Sequence, residues 1–270
     1  MFNFVLSFSI MISALHTTFI NSSFLQRTVK VDILFPRVAT HGQSFEVLLF
    51  NDGQDLERMD FASIFNNHGD VSRRVIPVAI HAGKDRKQEY GVIGQPDYLN
   101  RGAKADTYSA FVVQELIPEL TLLTGIEVFA KYHLAGFSLG GLMAVDMALS
   151  HPQLFHSAAA FSGAFWWRSK ALDAGYVEAT DRILHAKVRT LRAKAGQQFF
   201  FQTGKLDEKA DRNNNGIIDS IDDTLDLIRE LKSIGFQDDQ LHYLELEDGC
   251  HDLDTWRRVM PQYLNWLATI

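Results

Sequence analysis

Residues 131–149 read KYHLAGFSLGGLMAVDMAL, and this segment is the strongest indicator of the fold. Its first part, Lys131–Ala135, predicts a short strand, and Leu142–Leu149 predicts a helix. Between them, residues 136–140 fit the pattern G-x-S-x-G. In that setting the serine occupies a tight strand-to-helix turn, so its hydroxyl projects clear of the sheet and the helix directs N–H groups toward it. We therefore predict that Ser138 is a nucleophile, with an N-capping serine in a glycine-rich turn as the plain structural alternative.

The rest of the chain alternates short apolar strands with amphipathic helices. We expect further strands at Thr17–Ile20, Arg27–Leu34, Phe45–Phe50, Val75–Ile80, Ser157–Phe161, Gln198–Gln202 and Leu241–Leu246. We expect further helices at Leu56–Phe65, Thr107–Leu123 with a kink at Pro118, Asp181–Ala195, Asp222–Ile234 and Leu253–Leu267. This order predicts an α/β fold with a mainly parallel central sheet, helices on both faces and antiparallel strands at the N-terminus.

Composition limits the classes of partner. The chain has 270 residues and a formal net charge of −7, without a basic block. Nucleic acids and anionic membranes need a Lys/Arg patch, so neither is expected as a partner. The single cysteine, Cys250, cannot form an intrachain disulfide or a cysteine cluster for zinc. With no linker or repeat in the sequence, we expect residues 16–270 to form one domain.

Residues 1–15 form an apolar N-terminal extension. They resemble the hydrophobic region of a signal peptide, but no Lys or Arg precedes the apolar run and a small-x-small cleavage site is poorly formed. The run is too short to span a bilayer. We expect a cytoplasmic protein, and export through this segment is the alternative.

A nucleophilic serine needs a base and an orienting acid. His251 follows the last predicted strand, which is where the base lies when the nucleophile comes from a G-x-S-x-G turn. The acid should precede the histidine in the chain and follow a strand. Asp207 satisfies both conditions after Gln198–Gln202, with Glu208 and Asp211 as the alternatives.

The transition state also needs two N–H donors for its oxyanion. Leu139, the residue after the nucleophile, is expected to supply one. The loop after Phe45–Phe50 is expected to supply the other, from Gly53 or Gln54. Trp166 and Trp167 follow another strand and are predicted to line a substrate pocket, with ordinary packing under a surface loop as the alternative.

Residues 211–222 read DRNNNGIIDSID and follow the calcium-loop rule D-x-[DN]-x-[DN]-G. We expect a structural calcium ion here and no cofactor for catalysis. The predicted ligands are Asp211, Asn213, Asn215, the carbonyl of Ile217, Asp219 and Asp222. Asp222 replaces the usual glutamate at the last position, which weakens the match. The alternative is an Asn/Gly-rich surface turn that caps the following helix.

From Thr17 onward the chain resembles the family named "Putative esterase", which includes enterochelin esterases, feruloyl esterases and S-formylglutathione hydrolases. The resemblance is carried by five short segments, residues 51–54, 86–90, 136–141, 161–163 and 249–251 with Trp256. It implies an α/β-hydrolase fold without a large lid, and it supports Ser138, Asp207 and His251 as the triad. We expect Arg86 and Glu89 to pair locally.

These observations predict a serine carboxylic ester hydrolase that works through an acyl-enzyme. The expected substrate is a small-molecule or sugar-linked ester. Two alternatives stay open. One is an acyltransferase of the same fold, since an alcohol can resolve an acyl-enzyme as water does. The other is a catalytically silent, calcium-dependent binding protein.

Overall fold

The computed structural model describes residues 15–36 and 44–270, and these residues form an eight-stranded sheet. The strands are β1 (Leu15–Ser22), β2 (Arg27–Leu34), β3 (Glu46–Asn51), β4 (Val75–Ile80), β5 (Tyr132–Phe137), β6 (Phe155–Phe161), β7 (Gln198–Leu206) and β8 (Leu241–Cys250). Their order is β1-β2-β4-β3-β5-β6-β7-β8. β2 pairs antiparallel with β1 and β4, and every other pair is parallel. The predicted α/β fold with antiparallel N-terminal strands is confirmed.

The helices are α1 (Gly53–Arg58), α2 (Phe61–Asn66), α3 (Gly69–Arg74), α4 (Arg86–Glu89), α5 (Ala105–Phe111), α6 (Ile117–Thr124), α7 (Leu139–Ser150), α8 (Glu178–Asp181), α9 (Ile183–Val188), α10 (Asp219–Ser233) and α11 (Leu253–Thr269). A π-helical turn at Val112–Leu116 joins α5 to α6, whose second residue is Pro118, and a 3₁₀ turn lies at Asp238–Gln240. None of the described helices is long and apolar enough to cross a bilayer. Of residues 1–15, the structure describes Leu15 alone. The expectation that this segment is an apolar extension or a signal-like segment therefore lies outside the described residues.

Helices cover both faces of the sheet, and β7 shows why. Phe199 and Phe201 belong to one buried cluster, together with residues of α5, α7, α9 and α10. Phe200, between them in sequence, belongs to a second cluster with α1, α2 and α11. Successive side chains of a strand point to opposite faces, so this run of three phenylalanines needs an apolar layer on each side. Burying each ring stabilises the fold by about 1.5–3 kcal/mol.

The parallel part of the sheet positions the functional residues. β3, β5, β6, β7 and β8 are neighbours in that order and run in one direction, so their carboxyl ends share one edge. Loops at that edge carry the reactive groups in open α/β sheets. This edge is called the carboxyl edge below.

Candidate active site

Ser138 occupies a sharp turn at the carboxyl edge. β5 ends at Phe137 and α7 begins at Leu139, so the serine alone joins strand to helix. Its φ of 51° and ψ of −119° are rare for a residue with a side chain. Backbone hydrogen bonds hold the turn: the Ser138 N–H donates to the Phe161 carbonyl at 2.9 Å, and the Ser138 carbonyl accepts from the Ala164 N–H at 3.0 Å. The strand-to-helix turn expected from G-x-S-x-G is present.

The glycines on either side of this turn are required by close approach of the backbone. A Cβ atom on Gly136 would overlap the Gly140 carbonyl. A Cβ atom on Gly140 would lie 2.6 Å from Oδ2 of Asp52, which belongs to the loop after β3. The nucleophile turn and the β3 loop are therefore packed directly against each other, and larger residues would separate them.

A buried ion pair holds the β3 loop in place. Asp52 is 1% exposed and has a left-handed φ of 61°. Arg86 binds both of its carboxylate oxygens, with Nε 2.6 Å from Oδ1 and Nη2 2.7 Å from Oδ2. The Arg86 guanidinium also lies over the ring of Tyr90, whose hydroxyl accepts the Asp52 N–H at 3.3 Å. A bidentate pair fixes orientation as well as charge, so it sets where the backbone of this loop lies.

The expected local pair between Arg86 and Glu89 is wrong. Glu89 is 1% exposed and binds Arg27 of β2, with the Arg27 Nη2 2.6 Å from Oε2. Arg86 and Glu89 are close in sequence, but each finds its partner in a distant strand or loop. Closeness in sequence predicted a local pair, whereas the structure has two ion pairs between distant segments of the chain.

The predicted oxyanion donors lie at the starts of two helices. Leu139 is the first residue of α7, and Gly53 and Gln54 open α1. First-turn N–H groups have no acceptor within their own helix, so they can serve a ligand. The Gln54 side chain is already used, since its Oε1 accepts the Ala82 N–H at 3.0 Å. The assignment of these amides to an oxyanion hole stays a prediction.

Asp207 follows the end of β7 and presents a partly satisfied carboxyl group. Its Oδ2 accepts the Gly204 N–H at 3.0 Å. Its Oδ1 is buried and, within the described residues, has no hydrogen-bond partner of ordinary geometry. Burial raises the pKa of Asp207, while hydrogen bonds from Gly204 and Ser162 and the charge of His251 lower it. An open carboxylate oxygen beside a histidine is what the acid of a triad requires.

His251 directly follows β8, and its side chain is exposed. Its ring lies edge-on to the Trp256 ring, with centroids 5.3 Å apart. Surrounding protein removes part of its water and so lowers the pKa of His251; the charge of Asp207 opposes this, and the charge of Arg86 adds to it. Asp207 and His251 thus lie within electrostatic range of each other.

The three predicted triad residues lie on β5, β7 and β8 ends at one edge of the sheet. None of the hydrogen bonds among the described residues joins the His251 ring to Ser138 or to Asp207. Catalytic hydrogen bonds are often long before substrate binds and tighten in the complex. The structure brings the three chain segments together, and the direct contact between the side chains stays a prediction.

A cavity of about 550 Å³ opens beside His251. Besides the histidine it is lined by Asp55, Arg58, Asp252, Leu253, Asp254 and Trp256. Three carboxylates against one guanidinium give this cavity an acidic character.

The two tryptophans predicted to line a pocket differ in exposure. Trp167 is 1% exposed and packs against the backbone at Gly91 and Gly102. Trp166 is partly exposed, and the guanidinium groups of Arg101 and Arg168 lie 5.3 Å and 5.9 Å from its ring centroid. Burial leaves Trp167 little surface for a ligand, whereas Trp166 keeps some; a role in substrate binding stays a prediction for both.

The predicted calcium loop is closed by its own hydrogen bonds. The Asn213 and Asn215 amides donate to Oδ2 of Asp222 at 2.8 Å and 3.2 Å. Asp211 accepts the Gly216 N–H at 2.9 Å, whereas Oδ1 of Asp219 accepts the Arg212 N–H. In the described part of the chain, no three or more His, Cys, Asp or Glu side chains are grouped to hold a metal.

These contacts fit a calcium ion only in part. Four of the predicted ligand residues, Asp211, Asn213, Asn215 and Asp222, are joined by hydrogen bonds across the loop. An asparagine amide that turned over would present its oxygen in place of its N–H. Asp219, however, also lies 3.3 Å from the Arg212 guanidinium, which competes with a cation for that carboxylate. Calcium in this loop therefore stays a prediction.

Sequence reasoning missed two contributors to the site. One is Asp52, which sits between Arg86 and the nucleophile turn. The other is Ser162, which follows β6 with a left-handed φ of 47° and is 1% exposed. Its position directly after a strand of the carboxyl edge was the available signal, since reactive groups collect there.

The model of the family described as "Putative esterase" matches residues 22–267. The chain belongs to this esterase family. The expected family resemblance is confirmed. The search of curated proteins found no match to the chain.

The solved structures that match the chain include these three, and they share its fold. The enterobactin esterase from Shigella flexneri is 18% identical with a TM-score of 0.70, over 95% of this chain and 58% of that one. An IroE-like serine hydrolase from Shewanella oneidensis is 18% identical with a TM-score of 0.69, over 95% and 80%. An S-formylglutathione hydrolase from Staphylococcus aureus is 16% identical with a TM-score of 0.61, over 94% and 96%. The chain thus spans less than two thirds of the enterobactin esterase, and these identities speak for the fold alone.

Proposed function

We propose that this esterase hydrolyses carboxylic esters, with Ser138 as nucleophile, His251 as general base and Asp207 as the orienting acid. The observation that carries the proposal is the Ser138 turn. A serine with a left-handed backbone, between a parallel strand and a helix, is held there at a cost in conformational energy. Such a turn raises the hydroxyl above the sheet edge, beside the loops that bear a histidine and a carboxylate.

The proposed reaction has two halves that use the same groups. In the first, Ser138 Oγ attacks the ester carbonyl carbon while His251 takes the hydroxyl proton. The Leu139 N–H and an amide of the β3 loop stabilise the tetrahedral oxyanion. His251 then protonates the leaving alcohol. In the second half, water attacks the acyl-enzyme through the same base, and the acid is released.

Two features of the described residues favour this chemistry. The lowered pKa of His251 keeps its ring neutral and able to accept a proton at neutral pH. The ion pair between Asp52 and Arg86 fixes the β3 loop against the nucleophile turn, so its amides need not reorganise during reaction. Small-molecule esters fit the proposal, since the cavity beside His251 is of the size that binds small ligands.

We further propose calcium as a structural ion in the loop at 211–222. The loop begins four residues after Asp207, and its end forms the first turn of α10, which starts at Asp219. An ion there would brace the segment that carries the acid. We assign it no part in the reaction, because a Ser–His–Asp mechanism needs no metal ion.

The test compares turnover of a short-chain aryl carboxylic ester with turnover of the matched aryl phosphate. We expect the carboxylic ester to be hydrolysed and the phosphate to be left intact. Ser138→Ala should remove the ester hydrolysis, and the melting temperature should show that the variant is folded. Ester hydrolysis that is undiminished in Ser138→Ala would refute the proposal, and an acylated alcohol in place of free acid would assign acyl transfer.

A further inference from the structure

Arg168 belongs to the loop that follows β6 and contacts the nucleophile turn. In this loop the Ala164 N–H donates to the Ser138 carbonyl at 3.0 Å. Trp166 and Arg168 come two and four residues after Ala164. Because a chain extends by at most about 3.6 Å per residue, the Arg168 backbone lies within about 14 Å of Ala164. The loop therefore carries Arg168 to the carboxyl edge, near the proposed nucleophile.

Neutral aromatic groups hold the Arg168 guanidinium. Its Cζ lies 5.0 Å from the ring centroid of Tyr98 and 5.9 Å from that of Trp166. The Tyr98 hydroxyl accepts from Nη2 at 3.4 Å, and the Tyr98 N–H donates to the Arg168 carbonyl at 3.1 Å. Aromatic faces attract a cation and fix its position, but they do not neutralise its charge.

Arg168 has no counter-charge among the described residues. It forms no ion pair with them, and its Nε is a buried donor without a hydrogen-bond partner. Asp181 lies close by, since its carbonyl accepts the Ser169 N–H at 2.8 Å. The Asp181 carboxylate, however, accepts the Val177 N–H at 2.7 Å and pairs with Lys170 at 3.4 Å. A partly buried cation without an anion is costly, so an anionic ligand would stabilise it.

Arg101 provides a comparison within the same group of side chains. Its guanidinium also lies over Trp166, with Cζ 5.3 Å from the ring centroid. The Arg101 Nε, however, donates to Oδ2 of Asp97 at 2.7 Å, and Asp97 is 5% exposed. Of the two guanidinium groups beside Trp166, one is neutralised by a buried carboxylate and the other is not. A ligand anion would therefore bind Arg168.

We propose that Arg168 binds a carboxylate of the substrate, with the partly exposed ring of Trp166 as the adjoining wall. This inference rests on the proposed function, and it makes the preferred substrate an ester with a carboxylate remote from the scissile bond. A guanidinium presents paired N–H donors that match a carboxylate. The net charge of −7 and the acidic cavity beside His251 repel anions, so this preference requires a local cation.

The test measures kcat/KM for aryl monoesters of adipate, suberate and sebacate. Each is compared with the same aryl ester in which the remote carboxylate is capped as a neutral methyl ester. The three lengths sample different separations between the scissile ester and the carboxylate. At the length that fits, wild type should favour the anionic ester by about ten- to a hundredfold, the range for a hydrogen bond to a charged group. Added salt should reduce this ratio.

Substitutions then assign the preference to one side chain. Arg168→Gln removes the charge and should lower the ratio of anionic to neutral ester to about one or below. Arg168→Lys keeps the charge but loses the planar fork, so its ratio should lie between those of wild type and Arg168→Gln. Arg192, an exposed arginine outside this group, gives the matched control, and Arg192→Gln should keep the wild-type ratio. Melting temperatures check folding, and Arg168→Lys carries the test if Arg168→Gln unfolds.

Two results would overturn the carboxylate site while leaving the esterase intact. One is a Ser138-dependent hydrolysis with a ratio near one at every length. The other is a preference for the anionic ester that both Arg168 variants retain in full. Failure to hydrolyse any of these esters, or hydrolysis that persists in Ser138→Ala, would overturn the proposed function and the carboxylate site together.

Discussion

A second set of serine, histidine and carboxylate lies at the other end of the same sheet. There, the Nδ1 of His133 on β5 is 2.7 Å from the Ser157 Oγ on β6, and its Nε2 is 3.2 Å from Oε2 of Glu46 on β3. These three residues are called the amino-end set. Their side chains are of the same types as those of the predicted triad, yet the two sets differ in backbone and in access.

The amino-end set is closed. His133 is 0% exposed and Ser157 is 1% exposed, and Ser157 lies within a strand that pairs on both sides. In the predicted triad, Ser138 has a left-handed backbone in a turn, and His251 is exposed beside a cavity. Under the proposed function, residue types alone do not make a hydrolase site. Position at the carboxyl ends of parallel strands and access for substrate are needed as well.

Replacing the two histidines should give the largest contrast. His251→Asn removes the proposed base and should lower kcat/KM by about 10⁴- to 10⁶-fold without lowering the melting temperature. His133→Asn removes a buried group that bridges β3 and β6, so it should lower the melting temperature and leave kcat/KM within about twofold. Ester hydrolysis rates and thermal melts check both. A catalytic loss confined to His133→Asn would reverse the comparison.

Replacing the carboxylates Asp207 and Glu46 should again affect activity in the first case and stability in the second. The effect on rate should be smaller than that of replacing His251. Asp207→Asn keeps the shape of the acid but favours the wrong histidine tautomer, so kcat should fall by about 10³- to 10⁴-fold. Glu46→Gln should reduce the free energy of unfolding by about 1–3 kcal/mol, because Arg74 and His133 lose a charged partner. Denaturant unfolding and steady-state kinetics measure these effects, and equal kcat losses in both variants would contradict the assignment.

Lowering the pH should reduce activity and stability through different histidines. Partial loss of water to the surrounding protein lowers the pKa of His251, so hydrolysis should fall with a midpoint below the ordinary histidine value of about 6.5. Burial also lowers the pKa of His133, and that of His156 to about 4. These two rings take up protons more readily when unfolded, so the free energy of unfolding should decrease as the pH falls below about 6.5. A pH–rate profile and denaturant melts at several pH values check both expectations.

In His133→Asn the acid loss of stability should be smaller than in wild type, while the midpoint of the activity profile should not move. A midpoint that moved with this substitution would show that the amino-end set controls catalysis, which would contradict its assignment to stability alone.

Calcium should have the smallest effect, and only on stability. If the loop at 211–222 holds the ion, a chelator should lower the melting temperature by about 2–4 °C per kcal/mol of lost binding energy, with kcat unchanged at 25 °C. Asp211→Ala should abolish the response, and Asp239→Asn outside the loop should keep it. If chelator leaves the melting temperature unchanged and no calcium is found in the purified protein, the proposed ion is refuted.

Hydrophobic patterns in the sequence predicted the bounds of strands and helices well where one period continues through the whole element. β2 and β4 have the predicted bounds, because their apolar runs end at turn residues. The predicted helix at Leu56–Phe65 is instead divided into α1 and α2, since Asp60 adopts a left-handed φ of 53°. Backbone conformation at a single residue leaves little trace in the hydrophobic pattern, so this break could not be predicted.

The site was less predictable than the sheet, for a physical reason. The strand-to-helix turn at Ser138 is encoded locally, by glycines that the close approach of backbone requires. The partners of Asp52 and of Ser162 come from segments far away in the chain, and their pairing depends on how the helices pack against the sheet. Such contacts leave no regular spacing in the sequence.

The most direct measurement is covalent labelling with a fluorophosphonate, followed by mass spectrometry of the peptides. We expect one label per chain, on the peptide that contains Ser138, and none on Ser157 although a histidine lies 2.7 Å from its hydroxyl. The His251→Asn variant should label far more slowly. A folded protein that labels at another residue, or that does not label at all, would contradict the proposed nucleophile.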